Sequence, residues 1–176
     1  MTASRADHWL FGYGSLIWKA DFAFVERVPA HIVGWSRRFW QGSHDHRGTP
    51  DAPGRVVTLI RNAGQRCDGM AYRLDPKEQA GVLAQLDYRE KNGYERHTIE
   101  MQLSTGGRQA GLIYIATPDN FAHLGEASDA DIAHQIAISS GPSGTNTEYL
   151  LQLHAALGEL GANDAHVERL VKLVCE

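Results

Sequence analysis

Cysteine is scarce in this chain: Cys67 and Cys175 are the only two among 176 residues. Two thiols cannot build a disulfide framework, and so sparse a use fits a reducing compartment. Long apolar runs are lacking as well. The run that opens at Trp9 is far too brief to span a bilayer, and residues 1–8 form a short polar tail without the features of a targeting segment. Positive charge is not in excess either. The 17 Lys and Arg against 21 Asp and Glu leave a net charge of -4, so no overall basic field speaks for a nucleic-acid partner. There is no internal repeat, no low-complexity tract, no linker rich in Pro, Gly or Ser, and no heptad seam. These absences describe one soluble, cytoplasmic domain over residues 1–176 that works as a monomer, away from membranes.

What is present is mostly strand in the first two thirds. Trp9 to Gly12 is a short apolar run, and Ala30 to Gln41 alternates in part. Arg55 to Arg61 is compact and β-branched, and it predicts a hairpin with Cys67 to Leu74 across Asn62-Ala63-Gly64-Gln65. Arg96 to Leu103 and Gln109 to Ala116 predict a second hairpin across Ser104–Gly107. Four helices follow from caps and periodicity. One starts at Asp75-Pro76, with Val82, Leu83 and Leu86 as its apolar face, and one starts at Ser128 with Ile132 and Ile136 four apart. A third has Thr145-Asn146-Thr147-Glu148 as a capping box, and a last is capped by Asn163-Asp164. The expected class is α+β: a small closed or nearly closed β-barrel of about six strands, with helices packed round it.

Four segments could carry chemistry. Gly12-Tyr13-Gly14-Ser15 reads either as an ordinary glycine turn or as a nest of backbone N–H groups that binds an anion. Arg37 to Pro50 interleaves basic, aromatic and histidine residues. His44-Asp45-His46 are adjacent and cannot easily share one ion, and no other His or Cys has ligand spacing, so no metal is expected. Arg47 fits a structural loop, held by a carboxylate, or a clamp on a substrate carboxylate. Glu90 lies where the helix ending near Gly93 has its negative pole. It is either a solvated helix-end acid paired with Lys91 or Arg89, or a general base whose pKa is raised there beside Tyr88 or Tyr94. Gly141-Pro142-Ser143-Gly144 leads into a capped helix but lacks the Lys-Ser/Thr of a nucleotide-binding P-loop.

Taken together, several stretches resemble the ChaC-type γ-glutamylcyclotransferases, which act on glutathione. They are Phe11–Lys19, Ser36–Ser43, Asp45–Gly48, Pro53–Leu59, Gly69–Leu74, Tyr88–Tyr94 and Gly141–Tyr149, in the family's order over roughly positions 9 to 172. Two small departures stand out: His44 where Thr is often found and Asn92 where Gly is often found. The resemblance implies a γ-glutamylcyclotransferase-like barrel and Glu90 as the single catalytic acid/base. It also implies a pocket whose loop Gly12, Tyr13, Gly14, Ser15, Leu16 and Ile17 holds the γ-glutamyl unit. In the implied reaction the substrate's α-amine attacks its own γ-carbonyl, giving 5-oxoproline and releasing cysteinylglycine, so no cofactor is required. Arg47 and Tyr149 are further candidates for contacts with the substrate. Whether the Tyr13 hydroxyl works in the chemistry or only packs stays open. Three alternatives compete: a cyclotransferase for other γ-glutamyl amines or amino acids, a binding module in which Glu90 has no catalytic role, and a cysteine hydrolase using Cys67. The last is disfavoured because Cys67 falls inside a strand with no helix N-terminus to lower its pKa.

Overall fold

The computed structural model of the chain describes residues 8–90 and 93–176. Residues 1–7 of the polar tail, and Lys91 and Asn92 of the expected Tyr88–Tyr94 motif, lie outside the described residues. The barrel strands are β1 (Trp9–Gly12), β2 (Glu26–Ser43), β3 (Gly54–Arg73), β4 (Tyr94–Leu103) and β5 (Arg108–Ala116), and they close in the order β1-β3-β2-β4-β5. The closing contact is a parallel pairing of Leu10 with Leu112; every other ladder is antiparallel.

Five strands, and not six, form the barrel because the expected hairpin at residues 62–65 does not exist. Arg55 to Arg61 and Cys67 to Leu74 belong to one continuous strand, β3, which runs antiparallel to β2 along nearly its whole length. Val33 pairs with Arg66 and Trp35 with Arg61, so residues 62–65 bulge out opposite Gly34 alone. Gly34 (φ 92°) and Gly64 (φ 80°) supply the left-handed backbone this bulge needs. The Ser104–Gly107 turn does join β4 to β5.

Alternation along the strands splits the core in two. Phe11, Ala71, Ile113 and Ile115 share one cluster with α2 (Asp129–Ile138), α3 (Asn146–Glu159) and α4 (Ala165–Cys175). Leu10, Tyr72, Leu112 and Tyr114 point the other way and meet Val82, Leu83 and Leu86 of α1 (Gln79–Arg89). Burial of those three α1 side chains stabilises the docked helix by roughly 1.5–3 kcal/mol each. The helix proper starts three residues after Pro76, past a turn in which the N–H groups of Lys77 and Gln79 bond the Asp75 side chain and carbonyl. Ser128, Thr145 and Asp164 cap the later helices as the sequence predicts. A two-residue ladder, β6 (Ser140–Gly141) with β7 (Gly144–Thr145), precedes α3. No described helix is long and apolar enough to cross a membrane.

Candidate functional site

β1 delivers the glycine loop. After Gly12 the chain turns back on itself through a 3₁₀ turn at Ser15–Ile17, closed by Ile17 N–H to Gly14 O (3.0 Å) and Lys19 N–H to Ser15 O (2.7 Å). A Cβ at position 12 would lie 2.6 Å from Leu16 Cβ, and one at position 14 would lie 2.9 Å from Val57 Cγ2. The close approach, more than any turn angle, demands glycine at both positions. Three buried groups brace the loop from below. Tyr72 donates its hydroxyl proton to Leu16 O (2.5 Å). Tyr13 donates its own to Tyr114 O (2.6 Å). Arg37, 2 % exposed, donates Nε–H to Tyr13 O (2.8 Å), Nη1–H to the Asp164 carboxylate (2.6 Å) and Nη2–H to Asp68 O.

α1 delivers the acid. Glu90 is the residue on which this helix ends, its N–H bonded to Leu86 O (2.8 Å). Gly93 (φ 108°) turns the chain, and Tyr94 N–H reaches Glu90 O (3.1 Å) as β4 begins. The helix end is tied to the barrel by Tyr114, which donates its hydroxyl to Asp87 (2.6 Å), while Arg96 pairs with the same carboxylate at 3.2 Å. Burial pushes the Glu90 carboxyl above its ordinary pKa; the Arg89 charge opposes this and the Asp45 charge adds to it. In turn the Glu90 charge helps to raise the already desolvated phenols of Tyr13, Tyr94 and Tyr149, all of which line the cleft with it.

More of the lining comes from the segment after β2 and from α3. Arg47 Nη1–H donates to Glu148 (3.2 Å) and to Thr145 O (3.1 Å), and its guanidinium lies 5.7 Å from the Tyr149 ring centroid. Arg47 is therefore held by a carboxylate, the structural role left open for it, and it also lines the cavity. Tyr149 is wedged edge-on between Trp18 (5.4 Å) and Phe39 (5.9 Å), and its hydroxyl accepts from Val57 N–H (3.4 Å). The Tyr94 hydroxyl donates to Val57 O (2.9 Å).

Gly12, Tyr13, Gly14, Ser15, Leu16, Arg47, Glu90 and Tyr149 all line one cleft of about 410 Å³. Ile17 does not: it is buried in the core beneath the turn. Of the two tyrosines expected beside Glu90, Tyr94 lines the cleft with it, and Tyr88 is 71 % exposed. Asp45 and Tyr94, from stretches the sequence singled out, also line the cleft, as do Gln85 and Tyr114, which no local signal in the sequence marks out. Cys67 is buried, its thiol pushed up to about 11 by desolvation, which is the opposite of an activated nucleophile. Among the described residues no three His, Cys, Asp or Glu side chains gather as a metal would require. His44 stacks on Phe121 at 6.0 Å.

Comparison with known proteins gives the family. The model of the ChaC-like protein family matches residues 8–176. γ-Glutamylcyclotransferase 2-3 of Arabidopsis thaliana is 44 % identical over 174 residues, covering 94 % of this chain and 87 % of that one. Glutathione-specific γ-glutamylcyclotransferase 1 of Danio rerio is 42 % identical, covering 87 % of this chain and 80 % of that one. The crystal structure of a yeast γ-glutamyl cyclotransferase specific to glutathione superposes with a TM-score of 0.89 at 33 % identity, covering 95 % of each chain.

Proposed function

The chain belongs to the ChaC-like family, and from that premise we propose that it is a glutathione-specific γ-glutamylcyclotransferase whose proton carrier is Glu90. The observation that carries this reading is the meeting of one desolvated carboxyl with the Gly12–Leu16 loop in a single cleft. The substrate class comes from the relatives that bear that name.

The substrate brings its own nucleophile. The α-nitrogen of the γ-glutamyl unit forms a bond to its side-chain carbonyl carbon, and an oxyanion appears as the five-membered ring closes. The bond from that carbon to the cysteine nitrogen then breaks, giving 5-oxoproline and cysteinylglycine. The α-ammonium first gives up one proton to solvent. Glu90 takes the second proton, shed by that nitrogen as it bonds to the carbonyl carbon, and returns it to the departing amine. That amine takes up a further proton from solvent, so the enzyme ends as it began. A carboxylate at the ordinary value of about 4.3 is a poor base for this; one raised by burial serves better at neutral pH. Folding the glutamyl chain into an attack geometry supplies up to about 7–11 kcal/mol of the barrier reduction. In this scheme the loop from Gly12 to Ser15 holds the γ-glutamyl unit, with Leu16 on the wall and Ile17 packing underneath. Arg47 and Tyr149 line the same cleft. The enzyme acts as a single-domain monomer in the cytoplasm, where reduced glutathione and reduced thiols coexist.

Release of 5-oxoproline from glutathione, measured beside release from γ-glutamyl-alanine, tests the assignment. Turnover of glutathione at a much higher kcat/KM is the expected result. Preference for γ-glutamyl-alanine makes it a γ-glutamyl-amino-acid cyclotransferase with the same chemistry, and no 5-oxoproline from either substrate refutes the reading.

A further inference from the structure

The proposed ring closure puts negative charge on the γ-carbonyl oxygen, and that oxygen needs a hydrogen-bond donor. Four tyrosines line the cleft with the acid, and their hydroxyl protons are not equally available: Tyr114 gives its proton to Asp87. Tyr13 spends its proton on Tyr114 O and Tyr94 spends its proton on Val57 O. Tyr149 differs: its hydroxyl accepts from Val57 N–H, and its own proton is given to no described residue. A phenol that already accepts from the protein is left with its proton directed elsewhere, here into the cleft that it lines.

A second donor stands beside it. The Tyr13–Gly14 peptide is trans, so its carbonyl and its N–H point in opposite directions. Buried Arg37 holds the carbonyl on the core side at 2.8 Å, and this turns the Gly14 N–H away from the core. That N–H bonds no described residue, and Gly14 lines the cleft. The two groups are neighbours, since a Cβ built on Gly14 would lie 3.2 Å from the Tyr149 hydroxyl oxygen. Both are held rigidly. Trp18, Phe39 and the Arg47 guanidinium fix the Tyr149 ring, and Asp164 together with Asp68 O fixes Arg37.

We propose that the Tyr149 O–H and the Gly14 N–H form the oxyanion hole of the cyclisation, with Arg37 as the positioning residue that aims the Gly14 N–H. The assignment rests on the reaction proposed above. Donors fixed before the reaction starts need no reorganisation as charge develops, which is why such pairs act on kcat more than on substrate affinity. Tyr149 would thus be a catalytic residue, and its role would be distinct from the proton transfer at Glu90.

The test is Tyr149→Phe, which removes one oxygen and leaves the ring packing. With glutathione as substrate, kcat is expected to fall about 100-fold, the usual cost of one such donor. KM is expected to stay within about threefold, because the contact strengthens only in the transition state. A kcat within about threefold of the unaltered enzyme, or a raised KM at unchanged kcat, overturns the assignment. Arg37→Met and Arg55→Met give an independent reading. Both remove a buried guanidinium, but Arg55 binds Gln135 and Phe39 O and no part of the glycine loop. Per folded molecule, Arg37→Met is expected to lose at least about tenfold in kcat and Arg55→Met to stay near the unaltered value; equal effects overturn the positioning role. If the unaltered enzyme makes no 5-oxoproline from glutathione, the reaction itself fails and the assignment with it. Normal turnover by the unaltered enzyme and by Tyr149→Phe overturns the assignment alone.

Discussion

A methyl group at position 14 has no room. In Gly14→Ala the added carbon would sit 2.9 Å from Val57 Cγ2 and 3.2 Å from the Tyr149 hydroxyl oxygen, where carbon pairs prefer about 3.5–4.0 Å. Val57 is fixed in β3 and only 2 % exposed, so the loop or Tyr149 must give way by several tenths of an ångström. Overpacking of this kind costs about 1–3 kcal/mol, or a fall in Tm of roughly 2–12 °C for a chain of this size. Turnover should suffer more than stability. A displacement approaching 1 Å in a positioned reaction costs about 100-fold in rate. Gly34→Ala is the matched comparison. Its φ of 92° also penalises a side chain, but nothing lies within 4 Å of the added carbon, and the expected cost is about 1–2 kcal/mol of backbone strain. Thermal unfolding and steady-state release of 5-oxoproline from glutathione, measured on both variants at 25 °C, separate the two effects. Similar losses of stability with a large loss of rate only in Gly14→Ala is the expected pattern. A Gly14→Ala enzyme that turns over within about threefold of the unaltered protein refutes the claim that this loop is built around a close approach.

Two further outcomes follow. Glu90 must be ionised to accept a proton, and its pKa is raised, so kcat/KM should fall with acidity through a limb lying above the ordinary glutamate value. Asp45→Asn should move that limb to lower pH and Arg89→Gln to higher pH; a limb unmoved by either contradicts the stated electrostatics. Cys67→Ala should keep nearly full turnover, and in the native enzyme at neutral pH a thiol reagent should label exposed Cys175 and spare Cys67, whose pKa lies at about 11. Prompt inactivation by labelling of Cys67 would reverse that conclusion.

The helices were legible because caps and apolar spacing are local. Ser128, Thr145 and Asp164 announce themselves within a few residues of the turns they close. The false hairpin at residues 62–65 has an equally physical cause. An Asn-Ala-Gly-Gln stretch between two β-branched runs carries the chemistry of a turn, and a wide bulge asks for the same residues. Only the partner strand, with Gly34 opposite, decides between them. In the site, Glu90 and the glycine loop were readable as single segments, whereas their neighbours were not. Tyr88 lies two positions from Glu90 and Tyr94 four, yet the nearer one is 71 % exposed at the end of α1 and the farther one, at the start of β4, lines the cleft. Arg37 and Arg38 are adjacent, and nothing local says that Arg37 is the one buried under the loop. Glu148 lies 101 positions from the arginine it holds.

The proton carried by Glu90 is tested most directly by Glu90→Gln, which keeps the shape and removes the acceptor. Formation of 5-oxoproline from glutathione should all but cease while glutathione binding, measured by calorimetry, is largely retained. A raised pKa means that the folded state holds the Glu90 proton more tightly than the unfolded chain does. Ionisation therefore costs stability above that pKa, and the variant should unfold at a higher temperature than the unaltered enzyme at pH 8, with the gap closing in acid. Comparable turnover by Glu90→Gln would contradict the account at its centre.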